Sequence, residues 1–482
     1  MEPTLKDKTA RGIFWGTLNS GATELLNVVI GIFLARLLLP EDYGLVGMLA
    51  IFTAIAGNLQ SWGFTNALIN KKPPLPEDYN AVFWFNVLVS VTLYAILFLA
   101  APLIAAYFRQ ERLVALGRFI FITFVIGACG ITANAYMLKN MMNRELAVVN
   151  VTGLVVSGIV GISLALNGAA YWSLAWQQVT YIVTINLLRY FYTWKKWHPS
   201  WRINLRPIRP MLGFSVKILV TNVVNTVSTN VLTFIFGRVF PLKTVGNFAQ
   251  SNKWDTMAFT FVQNSVAQIL QPVLVSVGSD GEREARVVRK FTRFMALVSF
   301  PVMLGLAMVA PEFIHLTIGD KWSDCVPLLQ ILCVGGAFFP FYTIWQNVAV
   351  SHGRSDIFMW VNITQLVLQV LLVLACYRLG IVPMVAAYSA FVILWLVVWH
   401  LATRRLSGVT LWQALCDLVP FLLITLLVLG ITYVSTRWIT HAAILLATRV
   451  LLAAVLYCAV MKLARVEIFK ECLQYIKQKR KH

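Results

Sequence analysis

Apolar runs long enough to cross a bilayer as a helix recur along this 482-residue chain from one end to the other. A helix needs about 20 residues to cross a hydrocarbon core roughly 30 Å thick. Candidate segments lie at about 12–38, 43–69, 80–107, 113–137, 147–167, 169–193, 211–237, 244–277, 286–318, 325–351, 356–378, 381–405, 415–437 and 440–464. They predict an all-α polytopic membrane protein with about 14 transmembrane helices. Apolar residues make up 59% of the chain and charged ones 12%, far from the composition of a soluble domain. A β-barrel is disfavoured because its strands would read as short alternating segments, not as long solid runs.

The net charge of +20 could point to nucleic acid, but its distribution does not. The 40 Lys and Arg collect in alternate short loops and at the termini, as topology-setting charge does. No nucleic-acid partner is expected. An even helix count with the basic loops inside puts both termini in the cytoplasm. The richest loops are Trp194–Pro210 and Arg283–Arg293. The seven cysteines are scattered without a C-x-x-C, and no residues show metal-ligand spacing, so neither a metal nor any other cofactor is expected.

The chain also repeats itself. Arg36 and Gly44 flank Pro40, and Arg238 and Gly246 flank Pro241. The interval from Arg36 to Arg238 equals that from Gly44 to Gly246, 202 residues. In each copy an Arg and a Pro close one long helix and a Gly opens the next. Six helices precede the Trp194–Pro210 loop, so the copies share an orientation and relate by an axis along the membrane normal. The expected domains are 1–200, 201–405, two additional helices over 406–464, and a basic tail over 465–482.

Polar residues interrupt three of the helices at helical spacing. Thr17, Ser20, Glu24 and Asn27 share one face of the first; Lys217, Thr221, Asn225 and Ser228 share one face of the seventh; Lys253, Thr256, Thr260, Asn264 and Gln271 form a stripe on the eighth. Ionisable groups at bilayer depth are costly, so such stripes face protein or a watery cavity. Lysine acting as a point charge suits an anionic group such as a diphosphate, and amides and hydroxyls suit sugars. The expected substrate-binding set is therefore Lys217, Lys253, Thr221, Asn225, Thr256 and Asn264. Glu24 or Asp255 could carry a coupling proton or ion, and the sequence does not rank them. Asp255 lies about 200° around its helix from Lys253, which argues against a direct pair. Arg449, in the last helix, could pair with an acid elsewhere.

Several segments resemble Wzx-type polysaccharide flippases of the colanic-acid-exporter branch. They are Arg11-Gly12-Ile13-Phe14-Trp15, Ala35-Arg36-Leu37-Leu38-Leu39-Pro40-Glu41-Asp42-Tyr43-Gly44, Gly63-Phe64-Thr65-Asn66, and Gly168-Ala169-Ala170-Tyr171-Trp172 followed by Trp197-His198-Pro199. The resemblance is clear over about the first 200 residues. It implies two six-helix bundles around a V-shaped cavity plus two C-terminal helices, in a bacterial inner membrane. It further implies alternating access that moves an undecaprenyl-diphosphate-linked oligosaccharide for lipopolysaccharide or exopolysaccharide synthesis, with coupling to protons or sodium. Expected partners are the lipid-linked oligosaccharide, membrane lipids and other polysaccharide assembly proteins. Alternatives are a multidrug antiporter of the same superfamily, a non-transporting scaffold, or a membrane enzyme of glycan assembly; the short outer loops argue against the enzyme.

Overall fold

The computed structural model describes residues 5–61, 64, 65, 68, 74–277, 281–471 and 474. Within them, the side chains of 5–14, 17, 60, 61, 210–218, 220–222, 224, 225, 265, 267–269, 272, 275 and 355 lie outside the description. The described residues are all-helical, 88% helix. In order the helices are α1 (Leu5–Leu37), α2 (Pro40–Ser61), α3 (Pro76–Phe108), α4 (Arg112–Lys139), α5 (Asn143–Leu166), α6 (Trp172–Thr193), α7 (Arg209–Val239) and α8 (Leu242–Val277). There follow α9 (Gly281–Thr317), α10 (Cys325–Gly336), α11 (Phe339–Ser351), α12 (Ser355–Cys376), α13 (Ile381–Ser407), α14 (Leu411–Thr436) and α15 (Ala442–Leu463). Among the described residues, eleven segments are long and apolar enough to span a membrane. Helix α6 does not figure among the eleven.

One local code starts two of these helices. The sequence Pro-Glu-Asp-Tyr occurs at Pro40–Tyr43 and again at Pro76–Tyr79. Proline suits the first helical position because its missing N–H has no partner there anyway. The aspartate reaches back to a free donor at the helix start: the Leu39 N–H donates to Asp42 Oδ2 at 2.9 Å and the Leu75 N–H to Asp78 Oδ2 at 2.8 Å.

The chain divides into two compact units, Met1–Gly246 and Asn247–His482. In the first, α3 packs along α4, α5 along α1 and α6, α4 on α6, and α2 on α7. The Trp194–Pro210 connection is pinned to α3 by hydrogen bonds. Asn80 accepts from the Ser200 N–H at 2.9 Å and donates to the Arg202 carbonyl, and Trp84 Nε1 donates to the Ser200 carbonyl at 2.8 Å. Trp201 stays 89% exposed. In the second unit α9 is central, against α10, α14 and α15, while α13 gathers α10, α11 and α12.

The two copies of the Arg–Pro–Gly turn meet each other. A Cβ placed on Gly246 would overlap the Pro40 carbonyl oxygen and stand 3.1 Å from the Gly44 nitrogen. One placed on Gly44 would overlap the Leu242 carbonyl oxygen and stand 3.3 Å from the Gly246 nitrogen. Pro40 and Leu242 are themselves 202 residues apart, so each copy offers the other the same atoms. That reciprocity is the signature of a local two-fold axis. It explains both glycines by close backbone approach. Arg238, at the end of α7, donates to the Tyr107 carbonyl at 2.7 Å, satisfying an acceptor in the last turn of α3.

The segment 325–351, expected as one helix, is two. Helix α10 ends on Gly335-Gly336, and α11 restarts with Pro340 in its first turn. Glycine weakens helix continuation and proline lacks the donor the ladder needs. Ser299 covers the break by donating to the Ala337 carbonyl at 2.7 Å.

Candidate functional site

Helix α8 has two chemically opposite faces, and they follow directly from its 3.6-residue period. Phe248, Ser251, Asp255, Val262, Val266, Leu270 and Leu274 are buried. On the other side Thr256, Asn264 and Gln271 are exposed, with Lys253 and Thr260 partly exposed between them. The stripe read from sequence is therefore an open face of its unit, led by an ammonium group and continued by hydroxyls and amides. Lys253 Nζ lies 5.9 Å from the Trp254 ring centre, and Trp254 is held edge-on against Phe313 at 5.0 Å. The aromatic thus steadies the lysine stem where it leaves the packed side of the helix.

Asp255 sits on the packed side, 5% exposed. Its Oδ1 abuts Gly336, where any side chain would displace the carboxylate. The Cys333 thiol donates a hydrogen bond to the carboxylate and the Tyr388 hydroxyl lies nearby, while Oδ1 itself has no hydrogen-bond partner among the described residues. The acid therefore stands at the end of α10, directly beside the interruption between α10 and α11. Asp255 and Lys253 occupy different faces, as their 200° separation requires. Farther along α8, Gln263 Nε2 donates to Thr343 Oγ1 of α11 at 2.7 Å, joining α8 to the second half of the broken helix.

In the first unit, Glu24 is exposed on α1, as are Gly16 and Ser20 on the same face. A Cβ on Gly16 or Gly21 would meet nothing within 4 Å, so this face is open; toward Gly31 it becomes buried. Asn27 is half-buried. Asn58 Nδ2 donates to Thr226 Oγ1, tying α2 to α7. Lys217, Thr221 and Asn225 fall on α7, but their side chains lie outside the described residues.

Two charged clusters of the second unit were only partly visible in the sequence. Arg449 finds its acid in Glu312, 2.7 Å away on α9, donates to Thr436 Oγ1 at 3.2 Å and lies over the Tyr433 ring at 4.9 Å. Asp417, 2% exposed, is clasped by Arg289 through Nε at 2.6 Å and Nη2 at 3.0 Å, and by Arg293 through Nε at 2.5 Å. A single acid inside an apolar run, with basic residues far upstream, was the available signal; sequence distance hid the match.

Comparison with known proteins agrees with this architecture. The family model described as polysaccharide biosynthesis protein matches residues 33–327. An uncharacterised membrane protein of the cps region of Klebsiella pneumoniae is 27% identical over 342 residues, covering 69% of each chain. The teichuronic acid biosynthesis protein TuaB of Bacillus subtilis is 24% identical over 74% of each chain. The lipopolysaccharide biosynthesis protein WzxC of Escherichia coli is 22% identical over 75% of this chain and 73% of its own. Among solved structures, the lipid II flippase MurJ in an inward closed conformation superposes with a TM-score of 0.74 at 11% identity, covering 93% of this chain and 99% of that one. A multidrug-resistance MATE transporter in an inward-facing conformation gives 0.61 at 16% identity, over 80% and 96%. The chain shares the fold of these two transporters, and it belongs to the polysaccharide biosynthesis protein family, where it resembles Wzx-type flippases.

Proposed function

We propose that this protein is an alternating-access flippase of fourteen membrane crossings that carries an undecaprenyl-diphosphate-linked oligosaccharide across the bacterial inner membrane, with both termini in the cytoplasm. The observation that carries the reading is the open face of α8. It begins with the Lys253 ammonium and continues through Thr256, Thr260 and Asn264 over roughly 16 Å, at 1.5 Å per residue. A cation followed by neutral donors and acceptors matches a ligand whose diphosphate and sugars are joined in series. Lys217, Thr221 and Asn225 on α7 supply a second set of the same chemistry. The names of the relatives, in lipopolysaccharide and teichuronic acid biosynthesis, and of the structural neighbour, a lipid II flippase, support a lipid-linked glycan as the cargo.

For coupling, Asp255 is the stronger candidate. It is buried against a helix interruption, where binding or losing a cation changes the charge inside a packed element. Glu24, open on α1, is the second candidate. The MATE likeness raises a drug antiporter as the other reading. A lysine leading the open face opposes it, because cationic drugs would be repelled there.

Lys217→Ala combined with Lys253→Ala should abolish polysaccharide export and leave lipid-linked oligosaccharide accumulating on the cytoplasmic leaflet. Export at the wild-type level in that variant would remove the diphosphate clamp. Drug resistance lost with glycan export intact would favour the antiporter.

A further inference from the structure

The start of α9 carries a second cationic site, unrelated to the open face of α8. Arg286, Arg289, Lys290 and Arg293 follow the i, i+3, i+4, i+7 pattern and so project from one side of the helix. With Glu467, Ile468 and Glu471 they line a cavity of about 230 Å³. Its floor is preorganised. Buried Asp417 holds two of the guanidinium groups in place, which leaves Arg293's terminal nitrogens and one of Arg289's free of that clasp. Lys290 pairs with Glu471 at 2.7 Å. Four cations face three carboxylates, so positive charge remains in excess.

The depth of this cavity is fixed by the length of α9. Its 37 residues extend about 55 Å, well beyond a hydrocarbon core of roughly 30 Å. The charge-dense first turns must therefore lie at headgroup level. Apolar surface flanks them: Leu411, Trp412 and Leu415 are exposed in the turns of α14 that lead to Asp417, and Leu463 is exposed at the end of α15. Bidentate arginines recognise phosphate oxygens, and exposed aliphatic and indole groups beside them suit acyl chains.

We propose that this cavity binds the headgroup phosphate of an anionic phospholipid, held where the last helical hairpin joins α9. The shared chemistry, a phosphate ester or free phosphate, is resolved by probe. Purified full-length protein would be titrated in detergent with phosphatidylglycerol, phosphatidylethanolamine or inorganic phosphate, and bound species counted by native mass spectrometry. Phosphatidylglycerol should bind at least about tenfold tighter than either other probe, and more weakly as salt rises. Arg286→Gln with Lys290→Gln, which leaves the Asp417 clasp intact, should weaken it about fivefold or more at an unchanged melting temperature. Equal binding of phosphatidylethanolamine, or wild-type phosphatidylglycerol binding by the double variant, would overturn the site. Inorganic phosphate bound as tightly as the lipid would overturn the headgroup assignment. The lipid preference of the unaltered protein tests the proposal even if the double variant fails to fold.

Discussion

Gly44 and Gly246 are the positions least able to accept a side chain, because what each would strike is backbone and not a movable side chain. Gly246→Ala should therefore destabilise the protein severely, by several kcal/mol on the scale of core overpacking. The check is yield and thermal unfolding by fluorescence-detected size exclusion. Gly57→Ala is the control: a Cβ there meets nothing within 4 Å, and in a helix alanine should be neutral or mildly stabilising. A stable, monodisperse Gly246→Ala protein would contradict the close approach. At this scale the sequence was informative about identity and poor about setting. It singled out Lys253, Asp255 and the Arg–Pro–Gly repeat from chemistry and spacing alone. It could not rank Asp255 against Glu24, because burial depends on Gly336 and Cys333, some 80 residues away in the chain, and no local pattern encodes that contact.

Among the elements, the terminal hairpin α14–α15 is fastened to α9 at both ends. Asp417 meets Arg289 and Arg293 near one end, Arg449 meets Glu312 near the other, and Tyr457 donates to the Leu297 carbonyl at 3.1 Å between them. The Arg449–Glu312 pair is nearly buried, so removing one partner leaves an uncompensated charge, at a cost of roughly 3 kcal/mol or more. Replacing both with neutral groups of similar size should cost less. Arg449→Met alone should lower the unfolding temperature more than Arg449→Met with Glu312→Gln, measured as a double-mutant cycle. Additive losses would show that the pair is not coupled. The hairpin was legible as two apolar runs, but its attachment was not, since the partners of Asp417 lie more than a hundred residues upstream. The α10–α11 break shows the opposite failure. Its glycines and proline were plain to read, yet hydropathy averaged across them and returned one helix.

For the whole molecule, topology is the most testable statement. With basic loops inside, a cysteine at Trp201, in a connection that is exposed and pinned to α3, should react with a membrane-impermeant maleimide only after the inner leaflet is opened. A cysteine at His441, between α14 and α15, should react in intact spheroplasts. The reverse pattern would invert the orientation. Hydropathy alone recovered most of the helical architecture, because the bilayer forces each crossing to be long and apolar. The expected segments at 169–193, 211–237 and 244–277 coincide with α6, α7 and α8 to within three residues at each end, so the lysines and amides on which the proposed function rests did not hide these helices.

The reciprocal glycine contact has a genetic consequence. A contact in which each turn presents the same atoms to the other is what two identical subunits make across a dyad, where one codon would specify both glycines. Here both turns belong to one polypeptide, so two independent codons specify them, and a larger residue at either position strikes the same close approach.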